Sequence, residues 1–125
     1  MKIYVKAASA LNIEQLKKSP YFETTDFEFF VKDDYSNDYT QDEVDRLLKF
    51  MKAIEYLDGA ERVSCDLQFK EISVDLDARA AQSIDASDLL KYQICDRSHD
   101  FGIRCYNFNV SEYYGDGLMT FGYQV

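Results

Sequence analysis

The segment from Thr40 to Gly59 constrains this chain more than any other. Thr40 and Glu43 stand at capping-box spacing, in which the cap hydroxyl accepts from the N3 amide while the N3 carboxylate accepts from the cap amide. Tyr39, just before the cap, can staple onto Val44. Val44, Leu47, Leu48, Met51, Ile54 and Leu57 then recur at helical spacing, and Gly59 supplies the left-handed position that ends a helix. A helix with a single apolar stripe must bury it against a second layer, so the rest of the chain has to provide one.

Alternating runs provide it. Ile3 and Val5 face one way in Lys2 to Lys6, and Phe27, Phe29 and Val31 share a face in the next such run. Between them, Asn12 and Gln15 have capping-box spacing, Leu11 can staple onto Leu16, and Pro20 closes a short helix. Val63, Cys65, Leu67 and Phe69 alternate, and Ile72, Val74 and Leu76 continue in the opposite parity. Lys70-Glu71 is therefore either a bulge in one strand or the turn of a hairpin. Asp77 to Ile94 holds a helical stretch, clearest from Ala86 to Ile94, with Ser87 or Asp85 as its cap. Ile103 to Val110 and Leu118 to Val125 form a hairpin through Gly115-Asp116-Gly117. The expected order is β-α-β-α-β-β-α-β-β. Residues 1–125 read as one α+β domain, a mostly antiparallel sheet with helices packed on one face.

A chain of 125 residues can bury about two-thirds of its unfolded surface, and nine phenylalanines and ten tyrosines exclude disorder. The opening MKIYVKAAS has no secretory h-region, and nowhere do about eighteen apolar residues run together, so no membrane association and a cytoplasmic location are expected. Cys65, Cys95 and Cys105 make an odd set without C-x-x-C spacing, as reduced thiols do.

The net charge of -9 is unevenly spread. Residues 26–45 hold eight acids against Lys32 alone. Contact with a phosphate backbone draws on clustered Lys and Arg, so direct nucleic-acid binding is not expected, whereas a basic protein partner is. Within this segment Asp34, Ser36, Asp38, Thr40, Asp42 and Asp45 occupy positions 1, 3, 5, 7, 9 and 12 of a calcium-loop frame. Tyr39 replaces the glycine of position 6, and Asp45 is shorter than the usual bidentate glutamate. A divalent-cation module on this loop is therefore an alternative, and no metal site is assigned. Cys65, Cys95, His99 and Cys105 have the inventory of a zinc site without its knuckle spacing. His99 reads as a solvated loop residue. No nucleophile, base and stabiliser come together in the sequence, so no catalytic residue, cofactor or enzymatic activity is expected.

Tyrosines are interleaved with these acids. Tyr35 and Tyr39 alternate with Asp33, Asp34, Asp38, Asp42, Glu43 and Asp45, and Glu112, Tyr113, Tyr114 and Asp116 repeat the combination at the last hairpin. Tyrosine gives rigid contact area with a polar tip, and carboxylates pair with the Lys and Arg of a nucleic-acid-binding groove. In this composition, and in its opening MKIYVKAAS, the chain resembles the small acidic phage and mobile-element anti-defence proteins of the anti-CRISPR or antirestriction DNA-mimic type. The resemblance spans the whole chain at the level of composition and transfers no site residues. It implies a stoichiometric inhibitor acting in the bacterial host cell on a basic nucleic-acid-binding protein such as a Cas nuclease or restriction complex. DNA mimics usually carry more acid than 23 residues in 125, which leaves another mode of inhibition open. The alternative is an accessory interaction domain whose acids are solvated.

Overall fold

The structure is a computed structural model that describes residues 3–21, 26–28, 39–113 and 116–125. Among these residues six strands form one sheet: β1 (Ile3–Lys6), β2 (Asp26–Glu28), β3 (Ala60–Asp66), β4 (Glu71–Leu76), β5 (Arg104–Tyr113) and β6 (Asp116–Gln124). Their order is β2-β1-β3-β4-β6-β5. β1 runs parallel to both β2 and β3, and the other three pairings are antiparallel. The fold is α+β with a mostly antiparallel sheet, as the alternation predicts. Phe29 to Val31, the remainder of the second expected strand, lie outside the described residues.

The helices among the described residues are α1 (Ala10–Lys18), α2 (Gln41–Glu55), α3 (Ala78–Gln82) and α4 (Ile84–Asp100). Helix α2 keeps its expected cap and stripe, burying Val44, Leu47, Leu48, Phe50, Met51 and Ile54 against β1 and β3, but it ends at Glu55 with Tyr56 as its cap, so Leu57 and the left-handed Gly59 lie in the turn beyond it. Helix α3 packs on β4 and β6, α4 on β5, and α1 on α2. The sheet face beneath them is apolar: Ile3, Val5, Val63, Cys65, Ile72, Val74, Met119, Phe121 and Tyr123 are all buried. Among the described residues no helix is long and apolar enough to cross a membrane.

Local chemistry moves several boundaries. Ser9, and not Asn12, caps α1, accepting from the Asn12 amide at 3.3 Å. The helix therefore starts earlier, Asn12 and Gln15 are interior buried polar residues, and Leu11 is exposed in place of stapling. Between β3 and β4 the hairpin is realised. Asp66 Oδ1 accepts from the amides of Gln68 and Phe69, and Lys70 takes a left-handed φ of 52°, so Phe69 falls in the turn and is exposed. The third helical stretch is two helices. Asp77 caps α3 through Ala80 N at 2.8 Å, and Ser83 caps α4 through Ala86 N at 3.2 Å. Neither Asp85 nor Ser87 is the cap: Asp85 lies in the first turn, and Ser87 is buried and donates to the Ile84 carbonyl. Helix α4 continues through His99 to Asp100, so His99 belongs to its last turn and not to a loop.

The C-terminal hairpin is longer than alternation predicts, because Asp116 and Gly117 are already paired in β6. Gly117 sits where a Cβ would come within 2.8 Å of the Ala81 Cβ, so its small size lets α3 lie on the sheet. In β5, Asn107 at φ 57° and Phe108 together oppose Phe121. This bulge resets the parity of the strand. Phe108 consequently turns inward and stacks on Phe121 with centroids 4.6 Å apart.

Leu48 lies fully buried in the middle of the α2 stripe. Replacing it with alanine is expected to cost about 2–5 kcal/mol through lost burial and a cavity. Chemical denaturation of the Leu48→Ala variant checks this; an unchanged midpoint would mean that the α2 stripe does not organise the core.

Candidate protein-binding surface

The acidic segment is described at β2 and again from Tyr39 onward, where Asp42, Glu43 and Asp45 already have partners within the chain. Glu43 completes the predicted capping box: its amide donates to Thr40 Oγ1 at 3.1 Å, and its carboxylate accepts from the Thr40 amide at 3.0 Å. Asp42 pairs with Arg46 at 2.9 Å while its side chain stays 78% exposed. Asp45 accepts from Gln41 Nε2 at 3.2 Å. Exposed pairs one helical turn apart contribute only about 0.3–0.5 kcal/mol, so Asp42 remains available to an outside cation. Asp33, Asp34, Tyr35 and Asp38 lie outside the described residues, as does Ser36, so half of the six calcium-frame positions do. Of that frame, Thr40 gives its carbonyl to the Val44 amide at 3.1 Å, because α2 begins at Gln41. The position-7 oxygen of a calcium loop is thereby taken into the helix ladder. Among the described residues no three His, Cys, Asp or Glu side chains converge on a point.

Tyr39 is a core residue and not a contact residue. It is only 6% exposed, and its hydroxyl lies 3.1 Å from the Leu67 carbonyl and 2.7 Å from the Tyr123 hydroxyl. Cys65 Sγ donates to that same Tyr123 oxygen at 3.3 Å. Each of the three groups has one proton, so the order of donation follows: Cys65 to Tyr123, Tyr123 to Tyr39, and Tyr39 to the Leu67 carbonyl. On its other side, the Tyr39 carbonyl accepts from Gln15 Nε2. Gln15 Oε1 in turn accepts from Asn12 Nδ2 at 3.0 Å, and Asn12 Oδ1 accepts from the Ala8 amide at 3.1 Å. A continuous polar thread therefore joins the β1–α1 connection, α1, residue 39, β3 and β6. Sequence reading missed Tyr123 in this role, although its inward parity in β6 marks a buried tyrosine in need of a partner.

The other candidate groups are dispersed. Cys65 sits on β3, Cys95 and His99 on α4, and Cys105 on β5, with all three cysteines free. Burial raises the thiols of Cys65 and Cys105 from 9.0 to about 12. Glu112 and Tyr113 end β5, and Asp116 starts β6 opposite Tyr113; Tyr114 lies outside the described residues.

Two surfaces come from the topology. The face of the sheet away from the helices forms an open groove of about 480 Å³. Register sets its layout across β1, β3, β4 and β6. Tyr4, Ser64, Ser73 and Thr120 lie in one neutral row, with Lys6, Asp66 and Glu71 in the row on one side and Arg62, Asp75 and Leu118 in the row on the other. Arg62 is held over the Tyr4 ring at 5.0 Å and by Asp75 at 3.4 Å. Its charges are mixed and partly paired, as on a solvated antiparallel face. The second surface is the outer side of α4, where Ile84, Leu89 and Tyr92 are exposed among Asp85, Asp88, Asp96 and Asp100. On this face exposed acids lie beside exposed aromatic and aliphatic groups. Comparison with protein-family models, with curated proteins and with solved structures finds no match to this chain.

The buried hydroxyl thread makes stability sensitive to alkali. Desolvation raises Cys65 to about 12 and pushes Tyr39 and Tyr123 well above their ordinary 10.0. The unfolded chain ionises these groups first, so their contribution is complete below pH 9 and is lost as pH rises towards the folded values. The urea midpoint should therefore fall between pH 9 and about 12, and less steeply in a Cys65→Val variant; an equal slope would acquit the thiol. At neutral pH, Tyr39→Phe should cost about 1–3 kcal/mol by orphaning the Leu67 carbonyl, read from its thermal melt.

Proposed function

We propose that the protein is a non-enzymatic, stoichiometric inhibitor that binds the basic nucleic-acid-binding surface of a bacterial defence nuclease, of the Cas or restriction type. The observation that carries this reading is the anchoring of the acidic stretch. The segment of residues 26–45, with eight acids and one lysine, runs from edge strand β2 into Tyr39, which is locked into the core by hydrogen bonds through both its hydroxyl and its carbonyl. Charges attached to such a fixed point lose less freedom on binding than charges on an unanchored tail, so more of the electrostatic attraction survives as affinity.

In this reading Asp33, Asp34, Asp38 and Asp42 meet the Arg and Lys residues of the partner groove. Tyr35 and the hairpin-tip residues Glu112, Tyr113, Tyr114 and Asp116 supply the remaining contacts. Tyr39 fixes its own end of the segment to the core. Glu43 and Asp45, engaged in the cap and by Gln41, act at the rim. The partner's own phosphate-binding residues are occluded, which blocks nucleic acid without any chemistry on this chain.

The in-chain partners of Asp42, Glu43 and Asp45 favour a second reading, an accessory interaction domain with a solvated acidic face. One experiment separates the two. Purified Cas nucleases and restriction complexes are titrated with the protein and with a variant carrying Asp33→Asn, Asp34→Asn, Asp38→Ser and Asp42→Asn, at low and high salt. The inhibitor reading expects a salt-sensitive complex with one nuclease, weakened at least tenfold in the variant, with thermal stability unchanged or slightly raised as repulsion is relieved. Equal affinity and equal salt dependence for the two proteins would leave the solvated-face reading standing.

A further inference from the structure

Helix α4 has two apolar sides. Ser87, Leu90, Ile94 and Ser98 are buried towards the sheet. On the opposite side Leu89 is 58% exposed and Tyr92 69%, and Ile84, at the start of the helix, is 80% exposed. Leu89 and Tyr92 are three residues apart and therefore neighbours on the helix surface. Asp85 lies one turn before Leu89, Asp96 one turn after Tyr92, and Asp88 between Ile84 and Tyr92. Asp100 follows one turn beyond Asp96. None of these four aspartates makes an ion pair among the described residues. The basic residues of the helix stand close by without pairing to these acids: Lys91, three residues after Asp88, turns to within 5.5 Å of the Phe108 ring on β5, and neither Arg97, three before Asp100, nor His99, three after Asp96, makes an ion pair among the described residues.

The geometry points to the outer face of α4 as a docking surface for a cationic amphipathic helix of another protein, with Leu89 and Tyr92 as its anchors and Ile84 at its end. An apolar stripe laid on Leu89 and Tyr92 would take them out of water, and Lys or Arg residues flanking that stripe would meet Asp85, Asp88, Asp96 and Asp100. Charge complementarity selects this occupant over two others. A second copy paired across a two-fold axis would set the same four aspartates against each other. A membrane surface attracts helices whose polar flanks are Lys and Arg, the reverse of what α4 presents. This inference concerns a surface separate from the acidic stretch and does not depend on the nuclease reading.

The test uses the full chain labelled for amide NMR, with two probes: a synthetic amphipathic helix of leucine and lysine, and an oligolysine of the same charge. The amphipathic peptide is expected to shift the amides of residues 84–100 and to bind at least tenfold more tightly than oligolysine. A Leu89→Ser, Tyr92→Ser variant should lose about tenfold or more in affinity, which corresponds to about 1.4 kcal/mol. A variant with Asp85→Asn, Asp88→Asn and Asp96→Asn should instead lose the salt dependence of binding. All substituted positions are exposed, and circular dichroism of each variant confirms its fold; should the serine variant unfold, the asparagine variant and the shift map decide. Shifts centred outside α4, equal binding of oligolysine, or α4 shifts that depend on protein concentration without peptide would each overturn the inference, the last in favour of a second copy.

Discussion

One contact between layers organises this molecule: the apolar stripe of α2 laid over β1 and β3. β1 is parallel to both of its neighbours, so the chain must leave the sheet twice and return in the same direction. A parallel return needs a crossover, and α1 and α2 are the two that the chain makes. Only α2 has a long enough stripe to cover both strands, with Val44, Leu47, Leu48, Met51 and Ile54 all buried. The antiparallel half then grows from β3 by hairpins and is roofed by α3 and α4. The two roofs are tied together by Arg46 of α2, which donates to the Phe101 carbonyl at 2.8 Å, at the C-terminal end of α4 where helix carbonyls favour a cation.

With that contact goes the polar thread through Tyr39, Tyr123 and Cys65. Burying two hydroxyls and a thiol is tolerable only when each finds a partner, and here the chain of donors ends on the Leu67 carbonyl in the β3–β4 turn. Among the described residues no buried side-chain nitrogen or oxygen lacks a partner. The thread also couples distant parts of the sequence. Tyr39 precedes α2, Leu67 follows β3 and Tyr123 is two residues from the C-terminal Val125, so β6 cannot shift in register without breaking the hold on residue 39.

Much of this was legible in residue order, and the parts that were not have identifiable causes. Strand alternation and the capped α2 pattern carry their own evidence, because burial imposes the period directly. Boundaries depended on single side chains that offered rival caps: Ser9 over Asn12, Asp77 and Ser83 over Asp85 and Ser87. The β3–β4 hairpin rests on Asp66 accepting two turn amides, and its turn contains no Asn-Gly or Gly-Gly pair to announce it. Tyr39 read as a surface group because its acidic neighbours dominate the local composition; its partners lie 28 and 84 residues away and leave no mark nearby. Helix α4 looked shorter than it is for a related reason. Leu89 and Tyr92 on its outer side blur the contrast on which helical periodicity depends.

That blurring has a physical meaning of its own. A helix with a single buried side is recognised by polar residues everywhere else, and α2 conforms, whereas α4 departs from the pattern at the residues that meet solvent. Isolated apolar residues on a surface are ordinary, but Leu89 and Tyr92 are adjacent and ringed by carboxylates that no described residue neutralises. As proposed binding surfaces, the acidic stretch before Tyr39 and the outer face of α4 would thus make different demands on a partner. Charge acts beyond contact distance and governs how quickly a basic partner arrives, with strong dependence on salt. Apolar anchors act only on contact and govern how long it stays. A stretch rich in acids but anchored through a buried tyrosine suits the first task, and a rigid helix with exposed leucine and tyrosine suits the second.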